Sequence, residues 1–565
     1  MQPSTERRPL RLNRRQLFGA LAGFSALPSF VGPQKASSAP FRPNILLILA
    51  DDLGYSDLGC YGGEIETPNL DRLAQRGVRF TQLYSNARCC PSRAALLTGQ
   101  HPHAVGMGNM TGGKPHPDYP GYSGQIPEST LFLPHLLREA GYTTLMAGKW
   151  HLAEPGPIER GFEEFYGLIH GFDSFWDPSK YRRLPANRPV TPWKEPFFAT
   201  DAITDHALSF LQSARKTPSK PWFLYLSYTA PHFPLHAPKA QIDKYQPVYE
   251  QGWDVIRQKR FDRMRRLGLI DPRWKLPPRS IVGPNRVSDV NGWAAKQNPA
   301  WDTLPADRRK DLARRMAIFA AMVENMDQNI GRLVDDLEAA SEMDHTLILF
   351  SSDNGACAEW DPWGFDVSSG PTNHLHRGPE LERMGQPGSY HSYGSGWANA
   401  SNTPWRLYKH YTHEGGISSP TIVHWPQGLK ARPGSLNHQP WHFIDILPTL
   451  TALTGARTPP QVAGVNMSAI FQGKKVNRGP MFWEHEGSRA VREGKWKLTA
   501  VYPAGEWELY DIEADRTEQV NLASRYPSRV RRMAAMWENW ARHNRVIPWI
   551  WKPPYGSSPS ASAPE

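Results

Sequence analysis

The fold class follows from one stretch, Asn44-Ile45-Leu46-Leu47-Ile48-Leu49-Ala50-Asp51-Asp52. Its unbroken apolar run is typical of a strand that is buried on both faces, as in a parallel sheet covered by helices. Further runs of this kind lie at residues 143–148, 222–226, 346–350 and 421–425. Helical patterns lie between them, near 68–76, 130–140 and 202–214. This alternation predicts an α/β fold in which helices sandwich a large, mixed but mostly parallel sheet.

One long helix is predicted at about residues 307–340, where apolar side chains recur at alternating steps of four and three from Leu312 to Leu337. Such a repeat could form a coiled-coil seam with a partner helix. It barely exceeds three heptads, however, and other faces carry Ala and Gly. We therefore expect this helix to pack on the sheet.

The pattern changes after residue 460. The stretch at 488–511 indicates short alternating strands, with runs at 495–501 and 506–510, and a helix is predicted near 527–543. This predicts a small C-terminal α+β domain built on a short antiparallel sheet. The predicted division is an export signal at 1–39, a catalytic domain at 40–460, the C-terminal domain at 461–550, and a Ser/Pro/Ala-rich disordered tail at 551–565.

The first 39 residues are typical of an export signal, with a basic start, an apolar stretch and small residues at 36–39. Arg14-Arg15 followed by Gln16-Leu17-Phe18 resembles a bacterial twin-arginine signal, which implies export of a folded protein. The alternative is an ordinary secretory signal with a chance arginine pair. Either way, we expect the mature protein in the bacterial periplasm or secreted.

The net charge of +11 suggests a nucleic-acid or membrane partner, but removing residues 1–39 leaves only +6. Six basic residues at 257–266 have few interleaved aromatics, so a solvated helix face is favoured over a nucleic-acid patch. Four cysteines exclude a disulfide scaffold. Outside the N-terminus no apolar run reaches about 18 residues, so stable membrane insertion is not expected.

Acidic residues directly follow two of the predicted strands. Asp51 and Asp52 follow the first strand, and Asp353 and Asn354 follow the strand at 346–350. Ligands of open α/β sheets bind at the carboxyl ends of strands. Three carboxylates and an amide oxygen are hard ligands that suit Ca²⁺ or Mg²⁺ rather than zinc. The alternative is that these residues only cap a helix and form a turn.

The most specific segment is Cys89-Cys90-Pro91-Ser92-Arg93-Ala94-Ala95-Leu96-Leu97-Thr98-Gly99. Early Pro91 and terminal Gly99 predict a helix that begins near Cys89. Backbone N–H groups at a helix N-terminus stabilise negative charge, which suits a nucleophile facing an anionic substrate. From the residues alone, Cys89 could act as a thiolate.

Cys-x-Pro-Ser-Arg followed by Leu-Thr-Gly resembles the signature of the sulfatase family, within the alkaline phosphatase superfamily. The resemblance covers about 42–545 and is nearest to bacterial arylsulfatases with a long helical insertion after the His-x-Pro motif. It implies an alkaline-phosphatase-like fold and a small anionic sulfate ester as substrate. The other matching motifs are Asp51-Asp52, Gly148-Lys149-Trp150-His151, Ala230-Pro231-His232-Phe233-Pro234, Asp353-Asn354-Gly355, and Lys409 before Glu414-Gly415-Gly416.

The resemblance also implies the chemistry. Cys89 would be oxidised to formylglycine, and one hydroxyl of its hydrate would attack the sulfur and expel the alcohol. Deprotonation of the second hydroxyl would then release sulfate from the covalent hemiacetal, a step that an ordinary serine could not perform. The implied roles are Ca²⁺ ligands for Asp51, Asp52, Asp353, Asn354 and modified Cys89, contacts to the hydrate for Arg93 and Lys149, the base for His151, and sulfate binding with leaving-group assistance for His232 and Lys409.

Two alternatives remain open. The same superfamily includes phosphonate monoester and phosphodiester hydrolases, and an inactive binding homologue would keep the fold. The latter is disfavoured because every catalytic position is filled. Expected partners are a formylglycine-generating enzyme and the twin-arginine export machinery. The resemblance assigns no role to His236, His410 or His413, and the long aperiodic stretch at 355–408 is expected to form a wall of the site.

Overall fold

Strands of the described residues form one large mixed sheet. The computed structural model describes residues 42–112, 118–283, 291–502 and 505–550. The strands are β1 (Asn44–Ala50), β2 (Val78–Tyr84), β3 (Thr143–Gly148), β4 (Glu164–Gly167), β5 (Arg182–Leu184), β6 (Trp222–Ser227), β7 (Thr346–Ser352), β8 (Ser418–His424), β9 (Ser435–Asn437) and β10 (Trp441–His442). Neighbouring strands follow the order β10-β2-β8-β7-β1-β6-β3-β4-β5, and β9 pairs with β2.

Helices lie between these strands, and single-turn 3₁₀ helices lie in several loops. In chain order the α-helices of the described residues are α1 (Pro68–Arg76), α2 (Cys89–Thr98), α3 (Leu133–Glu139), α4 (Ala199–Ala214), α5 (Lys239–Tyr249), α6 (Trp253–Arg266), α7 (Ala306–Ala339), α8 (Pro379–Arg383), α9 (Gly394–Ser401), α10 (Glu414–Ile417), α11 (Ile446–Thr454) and α12 (Pro527–His543).

The five predicted strands are all present, and β1 pairs in parallel with β6 and β7. The predicted fold class is confirmed, because parallel pairs outnumber the antiparallel ones. One strand differs in direction from the simplest expectation: β8, which contains the run at 421–424, is antiparallel to β7. An unbroken apolar run reports burial on both faces and carries no information about direction.

Side chains of β1 alternate between two apolar cores. Leu46 and Ile48 belong to the core that includes α4, α5 and α7, whereas Leu47 belongs to the core that includes α2, α3 and α11. The sheet is therefore covered on both faces, as predicted. Helix α7 packs on α1, α4 and α5, and its apolar residues share a core with the sheet, in agreement with the expectation that it packs on the sheet.

A separate antiparallel sheet lies in the C-terminal region, with the order β11 (Met481–His485), β12 (Ser488–Glu493), β13 (Trp496–Ala500) and β14 (Glu508–Asp511). Helix α12 packs on β12 and β13. The predicted strands near 495–501 and 506–510 and the predicted helix are therefore confirmed. Strand β12 lies within the stretch at 488–511 that is predicted to form short strands, whereas β11 was not predicted. The described residues from Arg42 onward form one compact unit, and the division at 460 stays a prediction.

The expectation of a solvated helix face at 257–266 is correct for four of the six basic residues, which are exposed, and wrong for Arg257 and Arg260, which are buried. Arg260 forms a 2.6 Å ion pair with Asp57, and Arg257 donates to the Pro277 carbonyl. A basic residue within a charge run can be buried where it finds an acceptor beneath the helix. The predicted export signal and the predicted tail lie outside the described residues. Within the described ranges, no helix has the length and apolar character needed to cross a membrane.

Candidate active site

Four predicted metal ligands meet where β1 and β7 end. The register pairs Ala50 with Ser352, so the acidic residues that follow these two strands are neighbours. The Asp52 N–H donates to Asp353 Oδ1 at 3.3 Å, and Asn354 Nδ2 donates to Asp52 Oδ1 at 2.6 Å. All four residues (Asp51, Asp52, Asp353 and Asn354) are buried, and Asp52 has a φ of +67°, which a short Asp side chain tolerates better than most.

This group of oxygens fits a hard divalent cation. Asp51 Oδ1 and Asn354 Oδ1 are buried and, among the described residues, have no hydrogen-bond partner. Ligand atoms of Asp51, Cys89 and Asp353 all lie within 4.8 Å of one another. Burial, and then the neighbouring Asp353 carboxylate, raise the pKa of Asp51. A cation would complete the bonding of both oxygens and offset this repulsion, so the residues present fit Ca²⁺.

Cys89 is the first residue of α2, which ends at Gly99 in the left-handed conformation, with φ of +66°, as the sequence predicts. Burial raises the pKa of the Cys89 thiol, so the unmodified side chain is protonated near neutral pH. This disfavours the thiolate interpretation. Cys90 instead belongs to the apolar core beneath α2, and burial raises its pKa to about 12. Of the two adjacent cysteines, Cys89 therefore faces the cation ligands.

Arg93 and Lys149 form ion pairs with the predicted metal ligands. Arg93 donates to Asp353 Oδ2 from Nε at 3.1 Å and from Nη2 at 2.8 Å, and also to the Lys149 carbonyl and the Ser227 hydroxyl. Lys149 Nζ donates to Asp51 Oδ2. The hydrogen bonds of Arg93 thus position Asp353. Sequence reasoning missed Ser227, a polar residue at the end of β6 with no distinguishing motif.

Lys409 and His232 both contact Asp52. Lys409 Nζ is 2.8 Å from Asp52 Oδ1, and it is 3.5 Å from His232 Nε2. Burial alone would lower the pKa of Lys409, but the Asp52 carboxylate raises it well above its usual value. Burial lowers the pKa of His232 to about 4, and its Nδ1 is 2.6 Å from the Phe233 carbonyl. His232 is therefore neutral, with Nε2 facing the ammonium of Lys409.

His151 lies three residues beyond β3, and no hydrogen bond among the described residues reaches its Nδ1. The strand ends at Gly148, whose φ is +111° and where a Cβ would lie 1.8 Å from the Ser227 carbonyl oxygen, so only glycine fits. Burial, and then the charges of Lys149 and Arg93, hold the pKa of His151 well below its usual value. A neutral imidazole in this position can accept a proton.

Gly171 sets the space available to His151. A Cβ added at Gly171 would lie 2.8 Å from His151 Nε2. We expect Gly171→Ala to lower kcat by on the order of 10²-fold, because a small displacement of a catalytic group is enough to misalign it. Steady-state kinetics with an aryl sulfate would measure this. Gly479→Ala is the control, since Gly479 is exposed with no atom within 4 Å of the added Cβ; equal activity of the two variants would contradict the prediction.

The three histidines without an assigned role differ in the residues that they contact. His236 lies 2.8 Å from the Ser389 carbonyl, and His413 lies 3.0 Å from Glu508, so both contact residues outside the site. His410 follows Lys409 and contacts Glu359 at 3.2 Å, which lies in the long stretch at 355–408. Sequence reasoning missed Glu359, because nothing local distinguishes one carboxylate in an aperiodic segment.

Comparison with known proteins gives consistent matches. A family model described as Sulfatase matches residues 43–456, and one described as N-sulphoglucosamine sulphohydrolase, C-terminal, matches residues 404–539. The chain is 35% identical to an uncharacterized sulfatase of Schizosaccharomyces pombe, covering 88% of this chain and 93% of that protein. It is 32% identical to an arylsulfatase of Klebsiella aerogenes, covering 77% of this chain and 94% of that protein. It is 28% identical to the N-acetylgalactosamine-6-sulfatase of Homo sapiens, covering 84% of this chain and 74% of that protein.

Solved structures agree in fold. The crystal structure of Ps i-CgsB has a TM-score of 0.63 and 26% identity, covering 89% of this chain and 93% of that chain. Its complex with k-i-k-neocarrahexaose has a TM-score of 0.63 and 25% identity, covering 92% and 96%.

Proposed function

The chain belongs to the sulfatase family, and from that premise we propose that it hydrolyses the sulfate ester of a phenol or similar small alcohol to the free alcohol and sulfate. The observation that carries the proposal is the position of Cys89, whose Sγ lies within 4.8 Å of ligand atoms of Asp51 and Asp353. Lys409 and His232 meet at Asp52 beside them. The similarity to an arylsulfatase over 77% of the chain supports an aryl substrate.

The proposed nucleophile is position 89 after oxidation of the cysteine to formylglycine by a partner enzyme. One hydroxyl of the aldehyde hydrate attacks the sulfur, forming an O–S bond as the bond from sulfur to the alcohol oxygen breaks. The second hydroxyl then loses its proton, and collapse of the covalent sulfate hemiacetal releases sulfate and restores the aldehyde. His151, buried and neutral, is the base that accepts this proton.

His232 and Lys409 would bind the sulfate group and assist the departing oxygen. His232 Nδ1 lies 2.6 Å from the Phe233 carbonyl, and its Nε2 lies 3.5 Å from Lys409 Nζ and 3.4 Å from Asp52 Oδ2. The Asp52 carboxylate raises the pKa of Lys409, so its ammonium supplies a positive charge beside the position of the departing oxygen. Both side chains are buried, so their contacts to a sulfate group would be made in a weakly screening environment.

Asp51, Asp52, Asp353 and Asn354 would hold Ca²⁺, which supplies positive charge against the sulfate oxygens and the nucleophile. Arg93 keeps Asp353 in place for this, through the two hydrogen bonds to one carboxylate oxygen. We also propose export by the twin-arginine machinery to the bacterial periplasm or beyond, on the sequence of the first 39 residues.

The test is hydrolysis of 4-nitrophenyl sulfate by protein in which formylglycine at position 89 has been verified by mass spectrometry. We expect kcat/KM for the sulfate to exceed that for bis(4-nitrophenyl) phosphate and phenyl phosphonate esters by at least about tenfold, because the site is proposed to stabilise a sulfuryl transition state. Preference for the phosphorus esters would instead support the phosphodiesterase alternative. Inactivity toward all of them would contradict the proposal.

A further inference from the structure

A cavity adjoins Lys409, and several of its lining residues have no role in the chemistry proposed above. These include Glu359, Trp360, His410, Tyr411, Glu486 and Tyr502. We propose that this cavity receives the leaving group of the sulfate ester and that Glu486, a residue of the C-terminal sheet, selects for uncharged leaving groups and against anionic ones. This inference rests on the proposed sulfatase function and assigns a substrate class to the same site.

The position of Lys409 connects the cavity to the reaction. Its ammonium lies 2.8 Å from Asp52 and 3.5 Å from His232, and Lys409 is also one of the residues that line the cavity. In the proposed arrangement, a sulfate group held at Lys409 with its sulfur toward Cys89 would have its ester oxygen on the cavity side. The carbon skeleton attached to that oxygen would then extend into the cavity.

The cavity is lined by two carboxylates, Glu359 and Glu486. Among the described residues that line it, Lys409 is the only Lys or Arg, and it is paired with Asp52. Glu359 is partnered by Arg88 at 3.1 Å, whereas Glu486 contacts His410 Nδ1 at 2.8 Å through Oε2. Interaction with His410 and His485 lowers the pKa of Glu486 despite its burial, so this carboxylate is ionised.

Glu486 also has spare capacity as an acceptor. Within the described residues its Oε1 accepts no hydrogen bond, and the nearest cationic or histidine nitrogen, His485 Nε2, is 3.6 Å away. A buried carboxylate oxygen without a donor favours a ligand that supplies a hydroxyl or N–H group. It disfavours a ligand that brings a second carboxylate or sulfate, because two like charges would be close together where water screens poorly.

Aromatic side chains make up much of the remaining wall. Trp360 lies with its ring centroid 5.2 Å from that of His410, and Tyr411 and Tyr502 also line the cavity. Flat apolar faces with a few convergent polar groups are typical of sites for ring-shaped small molecules. Together with the ionised carboxylate of Glu486, they fit an uncharged phenol better than a sugar that carries further sulfate or carboxylate groups.

The backbone holds Glu486 at this place. His485 and Ser488 are paired in the β11–β12 hairpin, so Glu486 and Gly487 form its two-residue turn, with φ values of +48° and +79°. Such turns usually contain Asn, Asp or Gly at the first position, and a glutamate there is unfavourable in the left-handed conformation. The C-terminal sheet thereby contributes a specificity residue to a site whose chemistry belongs to the large sheet.

The experiment compares two nearly isosteric esters, 4-carbamoylphenyl sulfate and 4-carboxyphenyl sulfate, with the full-length, formylglycine-containing protein at constant ionic strength. The ratio of kcat/KM for the neutral over the anionic ester should be on the order of tenfold or more in the unaltered protein. E486Q should lower this ratio by about tenfold, since it removes the charge and keeps the shape. E486A should lower the ratio as well, which guards against a folding defect of either variant.

E513Q is the matched control, because Glu513 is an exposed carboxylate of the same C-terminal region and the change in net charge is identical. Its ratio should equal that of the unaltered protein. Equal kcat/KM for both esters in the unaltered protein, or an unchanged ratio in both Glu486 variants, would overturn the inference and leave the proposed function intact. Hydrolysis of neither ester by the unaltered protein would overturn the proposed function together with the inference.

Discussion

Replacing Cys89 with alanine is expected to lower the turnover of an aryl sulfate by a factor on the order of 10⁵ or more, because the proposed nucleophile is lost. The folded state should survive, since Cys89 contributes one small side chain at the start of α2 and forms no disulfide. Steady-state assays, together with thermal unfolding of the variant, measure the two effects separately. Appreciable turnover by the alanine variant would show that another group is the nucleophile.

Cys89→Ser is the matched control for the proposed two-hydroxyl chemistry. A serine has one hydroxyl, so it can accept the sulfuryl group but cannot release it by collapse to an aldehyde. At most one equivalent of phenol per protein molecule should therefore be released, with a sulfate ester retained at position 89. Continuous turnover by the serine variant would contradict the requirement for the hydrate.

Arg93→Ala is expected to reduce the free energy of unfolding by about 3–5 kcal/mol, because it leaves the Asp353 carboxylate buried without its cation. Both side chains of this pair have zero solvent exposure. Aryl sulfatase activity should be lost as well, since Asp353 would no longer be held toward Asp51 and Cys89. Chemical denaturation of the unaltered and variant proteins under identical conditions measures the change in stability.

Arg72→Ala provides the comparison for this prediction. Arg72 pairs with Asp335 at 3.1 Å, but the two side chains are 32% and 69% exposed. Removal of an exposed ion pair of this kind costs at most about 1 kcal/mol. A similar loss of stability in both variants would mean that burial of the Arg93–Asp353 pair does not set its energetic importance.

Much of the architecture could be predicted because the signals are local. The unbroken apolar run before Asp51 predicted β1, and Pro91 and Gly99 predicted where α2 begins and ends. The direction of β8 could not be predicted, because an apolar run reads the same in both directions. Burial of Arg260 was missed because its partner Asp57 lies about 200 residues away in the sequence.

By itself, the sequence determined the α/β class, the two acidic strand ends and the single cysteine placed at a helix start. Each is a property of a few consecutive residues, whose burial and turn preferences do not depend on distant contacts. Only the tertiary structure decided that Arg93 positions Asp353, that Gly171 lies against His151, and that Glu486 lines the cavity at Lys409. The physical reason is that these contacts join segments far apart in the chain, which come together only when strand order and the packing of the C-terminal sheet are set.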